Sequence, residues 1–306
     1  MNVTNNFKEQ VVFKDYFKQH EQSEHEQKLQ HISSFTDEAW ELLGEGESIY
    51  GDSMPWQKTQ DKFRFRPGEV TIWAGVNSNG KSLVMGQCAL HLSNFTSVGI
   101  ASLEMPPHQT VKRMIIQSCG RSPNESYKEK FNKLDIAIYN HVGSLNTETV
   151  YGMCHYMAKE KGIKHIMIDS LVKCGIKDLK DNNQIAYFVS KIQDIAKEHK
   201  VHIHIVMHLN KLEKETDIPD KSNVKYAGES VDLTDNLLLV YINIRKRNEM
   251  HKPEQERDAK IIAKADCYIR VAKQRHHEFD GIFQFYWNEN RLQWCEREGD
   301  VHNYVK

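Results

Sequence analysis

The chain has 306 residues, with 41 Lys and Arg against 42 Asp and Glu, a formal charge of −1 that offers a polyanion no overall attraction. Apolar residues at 39%, charged residues at 27% and only 7 prolines exclude wholesale disorder and leave enough apolar material for one large or two small domains. No apolar run approaches the roughly 20 residues that span a bilayer, and the opening MNVTNNFKEQ lacks the basic-then-apolar layout of a secretion signal, so a cytoplasmic chain with no membrane partner is expected.

Residues 1–56 read as an N-terminal appendage, rich in Gln, Glu, His and Lys; residues 1–60 hold 5 basic and 11 acidic side chains, net −6. A helix is expected over His20–Ile32. It is either a solvated helix or a linker that docks on a neighbouring subunit through Phe13, Phe17, Leu29, Ile32 and Phe35. Residues 57–306 form the second region. From Phe65 onward short β-rich runs alternate with helical stretches, the signature of βαβ units and a mostly parallel sheet flanked by helices. Strands are expected at Val70–Ala74, Val98–Leu103, Ile136–Asn140, His165–Asp169, His202–His208, Leu237–Ile244, Tyr268–Lys273 and Ile282–Trp287. Apolar residues at three- and four-residue spacing predict helices over Ser82–Leu92, Gln109–Ser118, Thr147–Lys161 and Asn183–His199. Only HHEFDG and its neighbours separate the last two strands, too little for a crossover helix, so they pair antiparallel at the sheet edge. Cys88, Cys119, Cys154, Cys174, Cys267 and Cys295 lie far apart with no C-x-x-C, which predicts reduced thiols rather than disulfides or a zinc site.

The first chemical signal is Gly75-Val76-Asn77-Ser78-Asn79-Gly80-Lys81-Ser82. It satisfies G-x-x-x-x-G-K-[ST] and sits between a strand and a helix, the context that a phosphate-binding loop requires. Gly75 and Gly80 let the backbone turn its N–H groups inward around a phosphate, and the helix that follows favours negative charge there. Lys81 would reach the β- and γ-phosphates of ATP, and the Ser82 hydroxyl would ligate Mg²⁺. The apolar strand His165–Asp169 ends in an acid, and Asp169 would hold the same ion through water. Glu104, at the end of the strand that follows the first helix, is the candidate for orienting and deprotonating the attacking water. The alternation in His202-Ile-His204-Ile-Val-Met-His208 puts three histidines on one face, but a strand covered on both sides argues against a metal there.

Ser102-Leu-Glu-Met-Pro106, the spacing of Gln109, Val111 and Arg113-Met114, Val206-Met-His-Leu-Asn-Lys211 and Arg270-Val-Ala-Lys273-Gln-Arg275 together resemble the ATPase domain of DnaB-type replicative helicases. The resemblance runs from about Phe65 to Trp294. His208 at a strand end is more similar to the bacteriophage primase-helicase and Twinkle branch than to the bacterial one. The resemblance implies a RecA-like P-loop NTPase core: an α/β fold with a mostly parallel twisted sheet flanked by helices and antiparallel edge strands. It implies a homo-oligomeric, hexameric ring that moves on single-stranded DNA and hydrolyses ATP at subunit interfaces. His208 would sense the γ-phosphate, and Lys273 and Arg275 would reach into the neighbouring subunit's site as an arginine finger. The segment Asn210–Ser230 matches the position of the family's central-channel loop. It holds four lysines and five acids, and Lys211, Lys221 and Lys225 are its candidate DNA contacts.

Three features depart from the pattern. There is no room for a primase or for an N-terminal helical domain, so priming would come from a separate protein, in a host cytoplasm if the chain is phage-encoded. Gly228-Glu229-Ser230 puts an acid where family members carry Arg. Arg245–Lys264 is a charged insertion, read as solvated surface or a partner contact. The rival reading is a RecA-fold ATPase acting as a recombination mediator or a KaiC-like switch, without unwinding.

Overall fold

The computed structural model describes residues 29–45, 50–76, 79–209, 218–224 and 233–305. The chain divides into two units, Met1–Glu47 and Ser48–Lys306. In the first, the described part of the expected helix, residues 29–32, is not helical. The helix there is α1 (Ser33–Glu45) instead. Ser33-Ser34 ahead of an acidic and apolar run is a helix start, and the Ser33 N–H donates to His31 Nδ1 at 3.3 Å. Phe13 and Phe17 lie outside the described residues.

The second unit runs in the order β1 (Asp52–Ser53), β2 (Arg64–Phe65), β3 (Val70–Gly75), α2 (Lys81–Leu92), β4 (Val98–Ser102), α3 (Pro107–Cys119), α4 (Glu125–Phe131), β5 (Ile136–Ile138), α5 (Thr147–His155), β6 (His165–Asp169), α6 (Asn182–His199) and β7 (His202–His208). Then come β8 (Asn236–Ile242), α7 (Ile244–Met250), α8 (Ala259–Ile262), β9 (Cys267–Lys273), β10 (Ile282–Asn288) and β11 (Gln293–Cys295). Its nine-stranded sheet has the order β11-β10-β9-β8-β3-β7-β6-β4-β5. Strands β3 to β8 pair parallel, and β9, β10 and β11 add on antiparallel.

The central strands are apolar along their whole length because both faces are covered. Every residue of β3 is buried, and β7 splits its side chains by the two-residue period. Ile203, Ile205 and Met207 join the core under α5 and α6, with Val150, Phe188 and Ile192. Val206 points to the opposite face, where α2 and α3 contribute Val84, Cys88 and Met114. Met54 and Trp56 are fully buried in this second core, so residues ahead of 57 belong to the larger unit. The six cysteines are free thiols, five of them buried. Among the described residues no helix is long and apolar enough to cross a membrane.

His202 and His204 lie on that same face, inside a hydrogen-bonded chain. Trp73 Nε1 donates to His204 Nδ1 at 3.2 Å, so His204 Nε2 carries the proton that goes to His165 Nδ1 at 3.1 Å, and His165 Nε2 donates to Asp52 Oδ2 at 2.8 Å. His202 Nδ1 donates to the Arg66 carbonyl at 2.7 Å, and its Nε2 accepts from Thr71 Oγ1 at 2.8 Å. Both nitrogens of each ring are engaged. Burial holds His202 and His204 well below the ordinary histidine range, so both are neutral at pH 7.

Two parts of the charged insertion fold. These are α7 and α8, tied down by Lys246 Nζ to Asp266 Oδ1 at 2.8 Å and by Glu249, which accepts from the Asp258 N–H at 2.8 Å.

Candidate nucleotide site

The carboxyl ends of β3, β4, β6 and β7 converge at one edge of the sheet, where an α/β fold of this kind collects its ligands. Gly75 ends β3 in register with His208 of β7, and Ser102 of β4 pairs with Asp169 of β6. A side chain at Gly75 would stand 2.4 Å from the Val240 carbonyl, so only glycine fits there. Gly80 opens α2 with φ +77° and has Trp294 packed against it, 3.1 Å from where a Cβ would sit. Asn79 completes the described part of the loop, its N–H donating to Val76 at 3.2 Å. Asn77 and Ser78 fall outside the described residues.

Lys81 Nζ donates to the loop's own carbonyls, Gly75 at 2.7 Å and Val76 at 3.0 Å. Burial pulls its pKa down to about 8, against the opposing pull of Asp169 and Glu104. Ser82 Oγ donates to Asp169 Oδ2 at 2.5 Å. Burial raises the Asp169 pKa, and that hydrogen bond and the charge of Lys81 oppose the rise. Both groups are oxygen donors, the kind that Mg²⁺ takes, and Ser82 sits on the helix that the loop opens. The residues present therefore fit the ion that the loop motif calls for.

Glu104 lies two residues past β4, beside Asp169 because of the strand register. Ser170 donates its hydroxyl to Glu104 Oε1, and His208 Nε2 stands 3.7 Å from the same oxygen. Lys81, Ser82, Glu104, Asp169 and His208, with Arg113 and Leu292, line a cavity of about 650 Å³. Ser170 and Leu292 carry no spacing or composition signal in the sequence. Arg113 stands out there only as part of a helix spacing.

Lys273 and Arg275 are not brought to this cavity. β9 runs antiparallel to β8 and finishes with Lys273 opposite Leu237, whereas the phosphate loop leaves β3 near Leu239 and Val240. The basic pair is thus at the far end of the sheet. Arg275 Nε contacts Asp235 Oδ1 at 3.1 Å while half of its side chain stays exposed; buried Asp235 also accepts from the Val70 N–H at 2.9 Å and Gln193 Nε2 at 3.0 Å. Of the lysines singled out for DNA contact, Lys221 opens an exposed turn capped by Asp220. Lys211 and Lys225 lie outside the described residues. Of the segment Asn210–Ser230, residues 218–224 are described, and Val224 bridges antiparallel to Leu209, the residue after β7.

The profile described as DnaB-like helicase C terminal domain matches residues 61–294. The chain belongs to that family. No curated sequence matches it. Among solved structures, a separately solved ATPase domain superposes with a TM-score of 0.72 at 17% identity, over 88% of this chain and 99% of that one. A second, "The Structure Of A DnaB-Like Replicative Helicase And Its Interactions With Primase", gives 0.69 at 17% identity, over 87% and 67%. At these identities the likeness establishes the RecA-like fold with its mostly parallel sheet. Family membership gives this DnaB-like domain a helicase role.

Proposed function

We infer that this DnaB-like domain is the ATP-driven motor of a ring-forming DNA helicase. One observation carries the reading. Lys81, Ser82, Glu104, Asp169 and His208, the residues expected to bind ATP and activate water, line a single cavity, while the basic pair expected to stabilise the transition state lies at the opposite end of the sheet. A site built that way is completed only by a neighbour whose basic end faces it, which in a closed ring of heterologous contacts holds for every subunit.

The residues divide the work. Backbone amides of Gly75–Ser82, including Asn77, Ser78 and Asn79, cradle the phosphates, and Lys81 exchanges its loop carbonyls for phosphate oxygens. Ser82 and Asp169 would hold Mg²⁺, which when bound neutralises charge on the β- and γ-phosphates. Glu104, oriented by Ser170 and facing His208, takes the proton of the attacking water. Lys273 and Arg275 would supply positive charge across the interface, an effect worth on the order of 10³ or more in rate. His208 contacts Glu104 at one end and leads directly into the segment holding Lys211, Lys221 and Lys225, so occupancy of the site can be passed to single-stranded DNA in a central channel. A hexamer acting with a separate primase, in a phage-infected host cytoplasm, is the setting this reading proposes.

Strand displacement on a forked duplex with ATP tests it. Displacement that Lys81→Ala abolishes is the expected result. Binding and hydrolysis without displacement would instead favour a recombination mediator or switch on the same fold.

A further inference from the structure

We propose that the C-terminal ends of α5 and α6 form a second, non-nucleotide metal site, with His155, Glu198 and His199 as ligands to a zinc-class divalent ion. His155 Nδ1 lies 2.8 Å from His199 Nε2, and Glu198 Oε1 lies 3.6 Å from that same nitrogen. The three ligand atoms all fall within 4.8 Å of one another. Metal–nitrogen bonds of about 2.0–2.1 Å put two nitrogens on one tetrahedral or square ion about 2.9–3.4 Å apart, so the pair needs to open only slightly. The two rings stand perpendicular, at 90°. The ion would replace the single proton that the two nitrogens share.

The scaffold is rigid where a site needs it. Tyr151, one turn before His155, stacks on Phe188 of α6, and Val150, Cys154, Ile192 and Ile195 close the same helix pair over the sheet. α5 widens into a π turn over Tyr156–Glu160 directly after His155, a distortion that recurs at functional sites. His199 is the last residue of α6, where the helix dipole favours a cation. Its side chain is only 12% exposed, while Glu198, at 62%, remains open to solvent and leaves an entry path. Two imidazoles and one carboxylate suit zinc, nickel or cobalt rather than magnesium. The position separates this site from ATP hydrolysis: α6 leads into the start of β7, and the nucleotide cavity lies at that strand's other end. A bound ion would staple α5 to α6.

Calorimetric titration of the full chain with zinc chloride, without nucleotide, tests the proposal. Wild type should bind one zinc more than His155→Gln, and Glu198→Gln should weaken that step about tenfold or more. Magnesium chloride should give no such difference, and cobalt(II) at the site should show no thiolate charge-transfer band. ATP hydrolysis should be unchanged in both variants. Equal zinc stoichiometry and affinity in wild type and His155→Gln would overturn the proposal. So would an unchanged zinc affinity in Glu198→Gln, which removes only an exposed carboxylate and keeps the test open if the histidine variant fails to fold.

Discussion

Burial keeps the Lys81 pKa near 8, so its charge is partly lost in mildly alkaline solution. Phosphate binding needs the ammonium form, and apparent ATP affinity should therefore fall as pH rises through about 8 in a fluorescent-nucleotide titration. Lys81→Ala should remove binding and turnover together. Glu104 tests differently, because its proposed role is on water rather than on phosphate. Glu104→Gln should keep nucleotide affinity and lower kcat by about 10²–10⁴ in a steady-state assay. Ser170 escaped the sequence reading for a physical reason: its role comes from β4 and β6 lying side by side in register, which sets it against a residue 66 positions earlier. The placement of the Gly75–Ser82 loop between β3 and α2 was legible because its signal is local, with glycines, lysine and hydroxyl at fixed offsets between one strand and one helix.

At the scale of elements, the central strands were legible because continuous apolar runs covered on both faces leave a clear pattern. The edge was not. β11 is three residues long, and α2 holds it by a clamp that no periodicity announces: Gln87 Nε2 donates to the Trp294 carbonyl at 3.1 Å and to Tyr304 Oη at 2.8 Å, and Gln87 Oε1 accepts the Trp294 N–H at 2.7 Å. Gln87→Ala would leave the buried Trp294 N–H without an acceptor, although the Trp294 carbonyl keeps its bond from Trp56 Nε1 at 2.7 Å, and a loss of about 1–3 kcal/mol is expected in denaturant unfolding. The neutral histidines of β7 predict an acid response. His202 and His204 titrate well below 6.5 when folded but near 6.5 when unfolded, so the unfolded chain binds more protons and stability is lost as pH falls below about 6.5. Each contributes up to about 1.4 kcal/mol per pH unit. Glu69, raised to about 7 by burial, works in the opposite direction between its unfolded value and 7 and offsets about one histidine. Chemical denaturation between pH 7 and 5 should show this net loss, and His204→Asn should reduce its slope.

For the whole molecule, near-neutrality conceals a division. Residues 1–60 carry −6 and residues 278–306 carry −3, leaving +8 on residues 61–277, which hold most of the candidate nucleotide site and the proposed channel-loop segment. Affinity for single-stranded DNA should accordingly weaken steeply with added salt. The far-end placement of Lys273 and Arg275 makes its own prediction. Arg275→Ala should bind ATP normally and lose about 10³ in rate, and mixing it with Lys81→Ala should restore part of the activity, because the second variant lends its arginine to intact cavities of the first. The direct test of the central claim is the ATPase rate per subunit across a dilution series, with and without single-stranded DNA. A site completed between subunits predicts a rate that rises with protein concentration and rises again with DNA; a rate unchanged in the dilute monomer and indifferent to DNA would contradict it.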